Sequence, residues 1–239
     1  MPAIDLAAVR SEIEQEREWR EAELRALKNN VAGLRQEQQR EIARKALVVM
    51  LYAHFEGVAK ALFSIYVKEI NRLAISLAEA HPALAAAAMA KVFGALRNPS
   101  SKCKEFARSL PDDTKLHRYA RDREFLEQTA DFGARLLHLE PESVVDTESN
   151  LKPVVLRKIL YRLGFDPAIA DSWEGAVHEL LRRRNDVAHG TGTRGVDAKE
   201  YERLERAVKE VVDALVLALT DALSRQAYYS AGNRPSATG

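Results

Sequence analysis

The stretch Trp173-Glu174-Gly175-Ala176-Val177-His178-Glu179-Leu180-Leu181-Arg182-Arg183-Arg184-Asn185-Asp186-Val187-Ala188-His189-Gly190 reads as one helix with a glycine stop. With Trp173 at zero and about 100° per residue, Val177 falls at about 40°, Leu180 at about −20°, Leu181 at about 80°, Val187 at about −40° and Ala188 at about 60°. That is a 3.6-residue apolar stripe. Asp171 and Ser172 offer N-caps, Glu174 sits in the first turn, and Gly190 suits the C-terminal stop. Arg184 falls at about 20°, in the middle of the stripe, where ordinary amphipathic design places Leu. A guanidinium stays charged, and burying one unpaired is costly. Arg184 must therefore meet a carboxylate, face a cleft or sit at a subunit interface.

The rest of the chain has the same character. Of 239 residues, 46% are apolar and 30% charged, and Gly (11) and Pro (8) are few. Ala, Leu, Glu and Arg dominate, and no long alternating run reads as a strand, so the expected class is all-α, a helical bundle with a long charged N-terminal helix. Residues 1–38 read as a helical arm with a short Leu24, Leu27, Val31, Leu34 seam, which fits either a lightly packed arm or a pairing helix in a dimer. Residues 39–229 read as the main helical domain and 230–239 as a disordered tail. Within the domain, helices are expected over 39–77, with Leu51, Phe55, Val58, Ala59, Leu62 and Tyr66 on one buried face, and then to 96, over 114–139, 153–163, 171–189 and 197–224. Residues 98–101 and 110–113 read as loops, and 141–150 as an exposed loop.

The net charge of +1 excludes nucleic-acid binding by bulk charge, so any RNA contact must be a local cluster. One cysteine, Cys103, excludes a disulfide framework, fits a reducing compartment and reads as a surface thiol between Lys102 and Lys104. The N-terminal residues lack the pattern of a signal peptide, and the longest apolar run, 82–90, is too short for a bilayer, so a cytoplasmic location without membrane contact is expected. His178-Glu179 begins like H-E-x-x-H, but Arg182 stands at the second His position, so no metal site is expected.

His189 lies about 140° from Arg184 on the wheel, so the two do not share a face of a regular helix. Asn185, four residues before His189, does share its face, and Arg182 and His178 lie near that face. If these residues are catalytic, their types suit RNA cleavage by the 2′-hydroxyl. An imidazole takes the proton, a fixed guanidinium stabilises the phosphoryl charge, and Asn185 holds the imidazole or a phosphate. The same residues also admit a structural reading, with Arg184 in an ion pair and His189 capping the helix C-terminus.

Arg-Asn-x-x-Ala-His-Gly at a helix end resembles the R-x4–6-H signature of the HEPN superfamily. Residues 51–60 (Leu51-Tyr52-Ala53-His54-Phe55-Glu56-Gly57-Val58-Ala59-Lys60), 147–151 (Thr147-Glu148-Ser149-Asn150-Leu151) and 159–165 (Ile159-Leu160-Tyr161-Arg162-Leu163-Gly164-Phe165) resemble its MAE-type branch, over about residues 40 to 225. The resemblance implies a helical bundle and a homodimer with two motifs meeting in a cleft. It also implies cofactor-free, metal-independent RNA cleavage to a 2′,3′-cyclic phosphate, in toxin–antitoxin or anti-phage systems with an antitoxin or defence partner. Arg184 takes the place of the family's Arg, Asn185 of its polar residue and His189 of its His, and Glu56 is suggested as the carboxylate positioning Arg184. Where some members carry a modifiable Tyr two residues after the His, this chain has Thr191. An alternative within the same resemblance is a catalytically silent helical dimer that docks a partner.

Overall fold

The computed structural model describes residues 3–98, 100, 102–103 and 114–234. Among them the regular structure is helical, with two isolated β-bridges. In chain order the helices are α1 (Leu6–Ala32), α2 (Glu37–Leu73), α3 (Pro82–Ala88), α4 (Ala90–Arg97), α5 (Thr114–Ala130), α6 (Pro141–Val144), α7 (Pro153–Arg162), a 3-10 helix (Pro167–Trp173), α8 (Glu174–Ala188) and α9 (Ala198–Ser224).

The 37-residue α2 is the axis of the bundle. α1, α8 and α9 all pack against it, so it buries residues on nearly every side, from Val48 through Phe55 and Leu62 to Ile70. By length and hydropathy it is the one helix among the described residues that could cross a membrane. Its apolar surface is instead largely spent on neighbouring helices, as in a core helix. α1 starts at Asp5, whose carboxylate accepts the Ala7 and Ala8 N–H groups. It adds Val9 and Ile13 to the main core. Its Leu24, Leu27 and Val31 lie against a second cluster built from Leu47, Leu51, Tyr52, Leu180, Leu181, Tyr201 and Leu204. The seam is thus used within the chain.

Several boundaries differ from expectation for one reason: an apolar residue can be buried without being helical. α2 stops at Leu73, with Ala74 left-handed (φ 50°), rather than at residue 77. Ile75 and Leu77 are buried in extended backbone that pairs with the segment after α5: Leu137 N–H donates to Ile75 O, and Leu77 N–H to Arg135 O. α5 accordingly ends at Ala130 rather than 139, and Asn71 clasps Leu139 through both its N–H and its carbonyl. The Ala-rich segment breaks at Met89. The loop expected to be exposed over 141–150 contains α6, and Val144 and Val145 are in the core.

Cys103 is buried, its thiol donating to Glu124 Oε1 (3.1 Å), so it behaves as a small core residue rather than a surface thiol. The first residues of the expected tail are hydrogen-bonded: Ser230 N–H donates to Glu79 O and Asn233 Nδ2 to Ala78 O. Residues 235–239, and the expected 110–113 loop, lie outside the described residues.

Candidate active site at the end of α8

α8 follows the 3-10 helix, which Asp166 caps through the Ala168 N–H. Asp171 and Ser172 are therefore not N-caps of α8, because Pro167 opens a tighter turn that already contains them. Arg157 instead ties the junction, reaching both Asp171 and Glu174. Val177, Leu180 and Leu181 are buried as the wheel requires, but Val187 is half-buried and Ala188 exposed. The stripe runs on past the surface that covers it within one chain.

Three consecutive arginines, about 100° apart, enter three environments. Arg182 points to solvent and pairs with Asp186 one turn on (3.0 Å). Arg183 is the buried one: its Nε and Nη2 both reach Glu200 Oε1 of α9. Arg184 is half-buried, and among the described residues no carboxylate lies within ion-pair distance of it. Its Nη1 donates to Asn185 Oδ1 (2.9 Å) and Asn150 Oδ1 (3.2 Å), and its guanidinium carbon lies 5.1 Å from the Tyr52 ring centroid. Neutral amide oxygens and a ring face hold the cation in place without cancelling its charge. Of the destinations open to Arg184, the carboxylate goes to its neighbour Arg183, and Arg184 keeps neutral partners and partial exposure.

Glu56 does not reach Arg184. It stands beside the Tyr52 hydroxyl, and burial first, then this carboxylate, pushes that hydroxyl up to about 12. The Leu151 N–H, donating to Tyr52 Oη at 2.8 Å, and the Arg184 charge pull the other way. Glu56 therefore bears on Arg184 only through Tyr52. Asn185 also departs from expectation: its side-chain oxygen serves Arg184, while its backbone carbonyl accepts the His189 N–H (2.9 Å). Asn150 and Tyr52, which complete the Arg184 seat, stand within the stretches 147–151 and 51–60, but nothing in the sequence singled them out as contacts of Arg184.

His189 is the C-terminal cap residue of α8 and is exposed; its ring makes no hydrogen bond or ion pair with the described residues. Gly190 (φ 69°) takes the left-handed turn that ends the helix. The segment that follows is not loose. Lys45 Nζ donates to Gly192 O (2.5 Å), Val196 N–H to Glu41 O (3.0 Å), and a Cβ at Gly195 would meet Glu41 Cβ at 2.7 Å. The first turns of α2 therefore pin the backbone just after His189. His178 lies about 16 Å back along the helix from His189 and faces Glu174. It stands apart from the Arg184 cluster, as does Arg182. Among the described residues no three His, Cys, Asp or Glu side chains converge as a cation site.

The profile of the MAE_28990-like HEPN family matches residues 9–228. The chain belongs to the HEPN family. Neither the curated proteins nor the solved structures gave a match. HEPN membership supports an RNA-related or nuclease role in general. It also gives meaning to the arginine triplet. Arg182, Arg183 and Arg184 stand seven, six and five residues before His189, so each satisfies the R-x4–6-H spacing. Of these three, only Arg184 combines a held guanidinium with an uncancelled charge.

Proposed function

We propose that this HEPN protein is an RNA endonuclease that needs no metal, with Arg184 and His189 as its catalytic pair and Asn185 as the residue that fixes Arg184. The observation that carries the reading is the state of Arg184: half-buried, pinned by two amide oxygens and a tyrosine face, and left with its full charge five residues before an exposed imidazole. A guanidinium so fixed is prepared for an anion that arrives with the substrate. His189 takes the proton of the 2′-hydroxyl as that oxygen attacks phosphorus. Arg184 binds the non-bridging oxygens as charge builds on them. The 5′-oxygen leaves and is protonated, giving a 2′,3′-cyclic phosphate and a 5′-hydroxyl end.

The uncovered Val187 and Ala188 end of the stripe supports a second copy docking there. Two motif ends would then share one cleft, and the second His189 would be placed to protonate the leaving oxygen. The reading extends to a cytoplasmic toxin or anti-phage effector restrained by a partner protein. The decisive assay is cleavage of labelled RNA and tRNA in EDTA by the wild type, His189→Ala and Arg184→Ala. Cleavage by the wild type alone is expected. Absence of cleavage by all three, with the fold intact, leaves the catalytically silent dimer as the better reading.

A further inference from the structure

A second feature lies on the other side of α8. An open cleft of about 700 Å³ separates α8 from the first turn of α9. Glu200, 8% exposed, lines it. Its Oε1 is taken by Arg183, but its Oε2 is buried without any hydrogen-bond partner. Arg194 Nη2 lies 3.7 Å from it, an ion-pair distance but not a hydrogen bond. Buried polar atoms almost always find partners, so a carboxylate oxygen without one at the wall of a cleft marks a place for a donor.

The rim supplies exposed positive charge. Arg194 is 73% exposed, and Lys199 is exposed with no ion-pair partner for its Nζ among the described residues. The facing carboxylates are mostly engaged: Glu179 by Arg203, Glu37 by Arg40 and Arg44, and Asp197 by the Glu200 N–H. One wall residue of the cleft lies near the His189 face of α8. Arg182, on its wall, lies about 20° from His189 on the wheel and about 10 Å along the axis.

We propose that this cleft is the strand-binding subsite beside the scissile phosphate, in which Arg194 and Lys199 hold phosphates and Glu200 Oε2 accepts an exocyclic amino hydrogen of an unpaired base. The inference rests on RNA being the ligand, as argued above. Phosphate binding draws Arg194 away from Glu200 and exposes Oε2 to the base, so the backbone is captured and the base read in one event. Adenine, cytosine and guanine carry the amino group and uracil does not, so the subsite selects against uridine.

The test uses the full chain carrying His189→Ala, so that RNA is bound and not cut. Affinities for oligoadenylate, oligocytidylate and oligouridylate are measured by fluorescence anisotropy over a salt series. The first two are expected to bind about tenfold more tightly than the third, the size of one hydrogen bond to a charged group. Adding Glu200→Gln is expected to erase that difference. Adding Arg194→Ala with Lys199→Ala instead is expected to weaken all three and to flatten the salt slope by about 1.4, two single-strand phosphate contacts. Equal affinity for oligouridylate and oligocytidylate in the parent, or an unchanged salt slope, overturns the proposal, and neither readout depends on the Glu200 variant folding. If the parent binds selectively while the wild type cuts no RNA, the nuclease reading falls and the subsite stands. If the wild type cuts equally well beside uridine, the nuclease stands and the subsite falls.

Discussion

Replacing Arg183 by Met tests whether the three arginines have the roles their surroundings assign. The Arg183 and Glu200 side chains keep only 10% and 8% of their exposure, and two guanidinium nitrogens converge on one carboxylate oxygen. Removing the guanidinium strands a largely buried carboxylate at the wall of the cleft, which costs about 3–5 kcal/mol. Arg194, 3.7 Å from the other oxygen, recovers part of this, so the loss should fall near the lower end, about 3 kcal/mol. In a chain of this size each kcal/mol moves the melting temperature by about 2–4 °C, giving a drop of about 6–12 °C. Adding Glu200→Leu removes the stranded charge, and the double variant should return to within about 1 kcal/mol of the wild type. Urea and thermal unfolding of the four proteins form a double-mutant cycle. Arg182→Met, which breaks only the exposed pair with Asp186, is the control and should cost at most about 1 kcal/mol. If Arg183→Met costs no more than this control, or if the double variant loses the sum of its parts, the assignment is refuted.

Other consequences are open to measurement. Tyr52→Phe deletes the acceptor of the buried Leu151 N–H and should lower stability by about 1–3 kcal/mol in a urea titration. In the cleavage assay, His189→Ala should lose about 10²- to 10⁴-fold in rate while melting like the wild type, because the side chain is exposed; a coincident loss of stability would argue for a structural role. Gly195→Ala forces Glu41 aside, so hydrogen exchange at the Val196 N–H should speed up while the core amides stay unchanged. Burial, and then Arg234, hold the His81 pKa below its usual value, and its Nδ1 accepts the Ala83 N–H as the cap of α3. The unfolded chain therefore takes up this proton first, so stability should fall as pH drops from about 6.5 toward the lower folded value. The depressed carboxyl groups Glu37, Glu79, Glu174 and Asp197 lose their contribution only in a more acid range. His81→Asn, an alternative cap that does not titrate, should flatten the melting temperature across the first window.

The fold was legible where periodicity and punctuation agreed. The buried positions of α2 from Leu51 to Tyr66, the Val177, Leu180 and Leu181 part of the α8 stripe and the Gly190 stop all stand where the residues indicated. It was illegible where apolar residues are buried in extended backbone, as at 75–77 and 137–139, since a local pattern does not say that two such segments pair. At the site, the wheel identified Arg184 as out of place on its stripe but not what it touches. Asn150 is 34 residues away in sequence, and the contact exists only because α7 and the 3-10 helix fold that distance back. Asn185 was placed on the face of His189, yet its side chain turns to the stronger donor beside it. Glu56 looks from its place on α2 like a direct partner of Arg184 but stops at the Tyr52 hydroxyl.

The Arg183–Glu200 pair also acts as a protractor for α8. It sets the rotation of the helix about its own axis, and a single step of that rotation is about 100°. Adding one residue between Val177 and Arg183 would turn the triplet by that step, presenting Arg182 to Glu200 and aiming Arg183 at Asn150 and Tyr52; deleting one would present Arg184 to Glu200 and leave Asn185 in its place. The spacing to His189 would still satisfy the motif when counted along the chain. Length changes that pass unnoticed in loops should therefore be fatal between Val177 and Arg183, and motif counting alone would miss the damage.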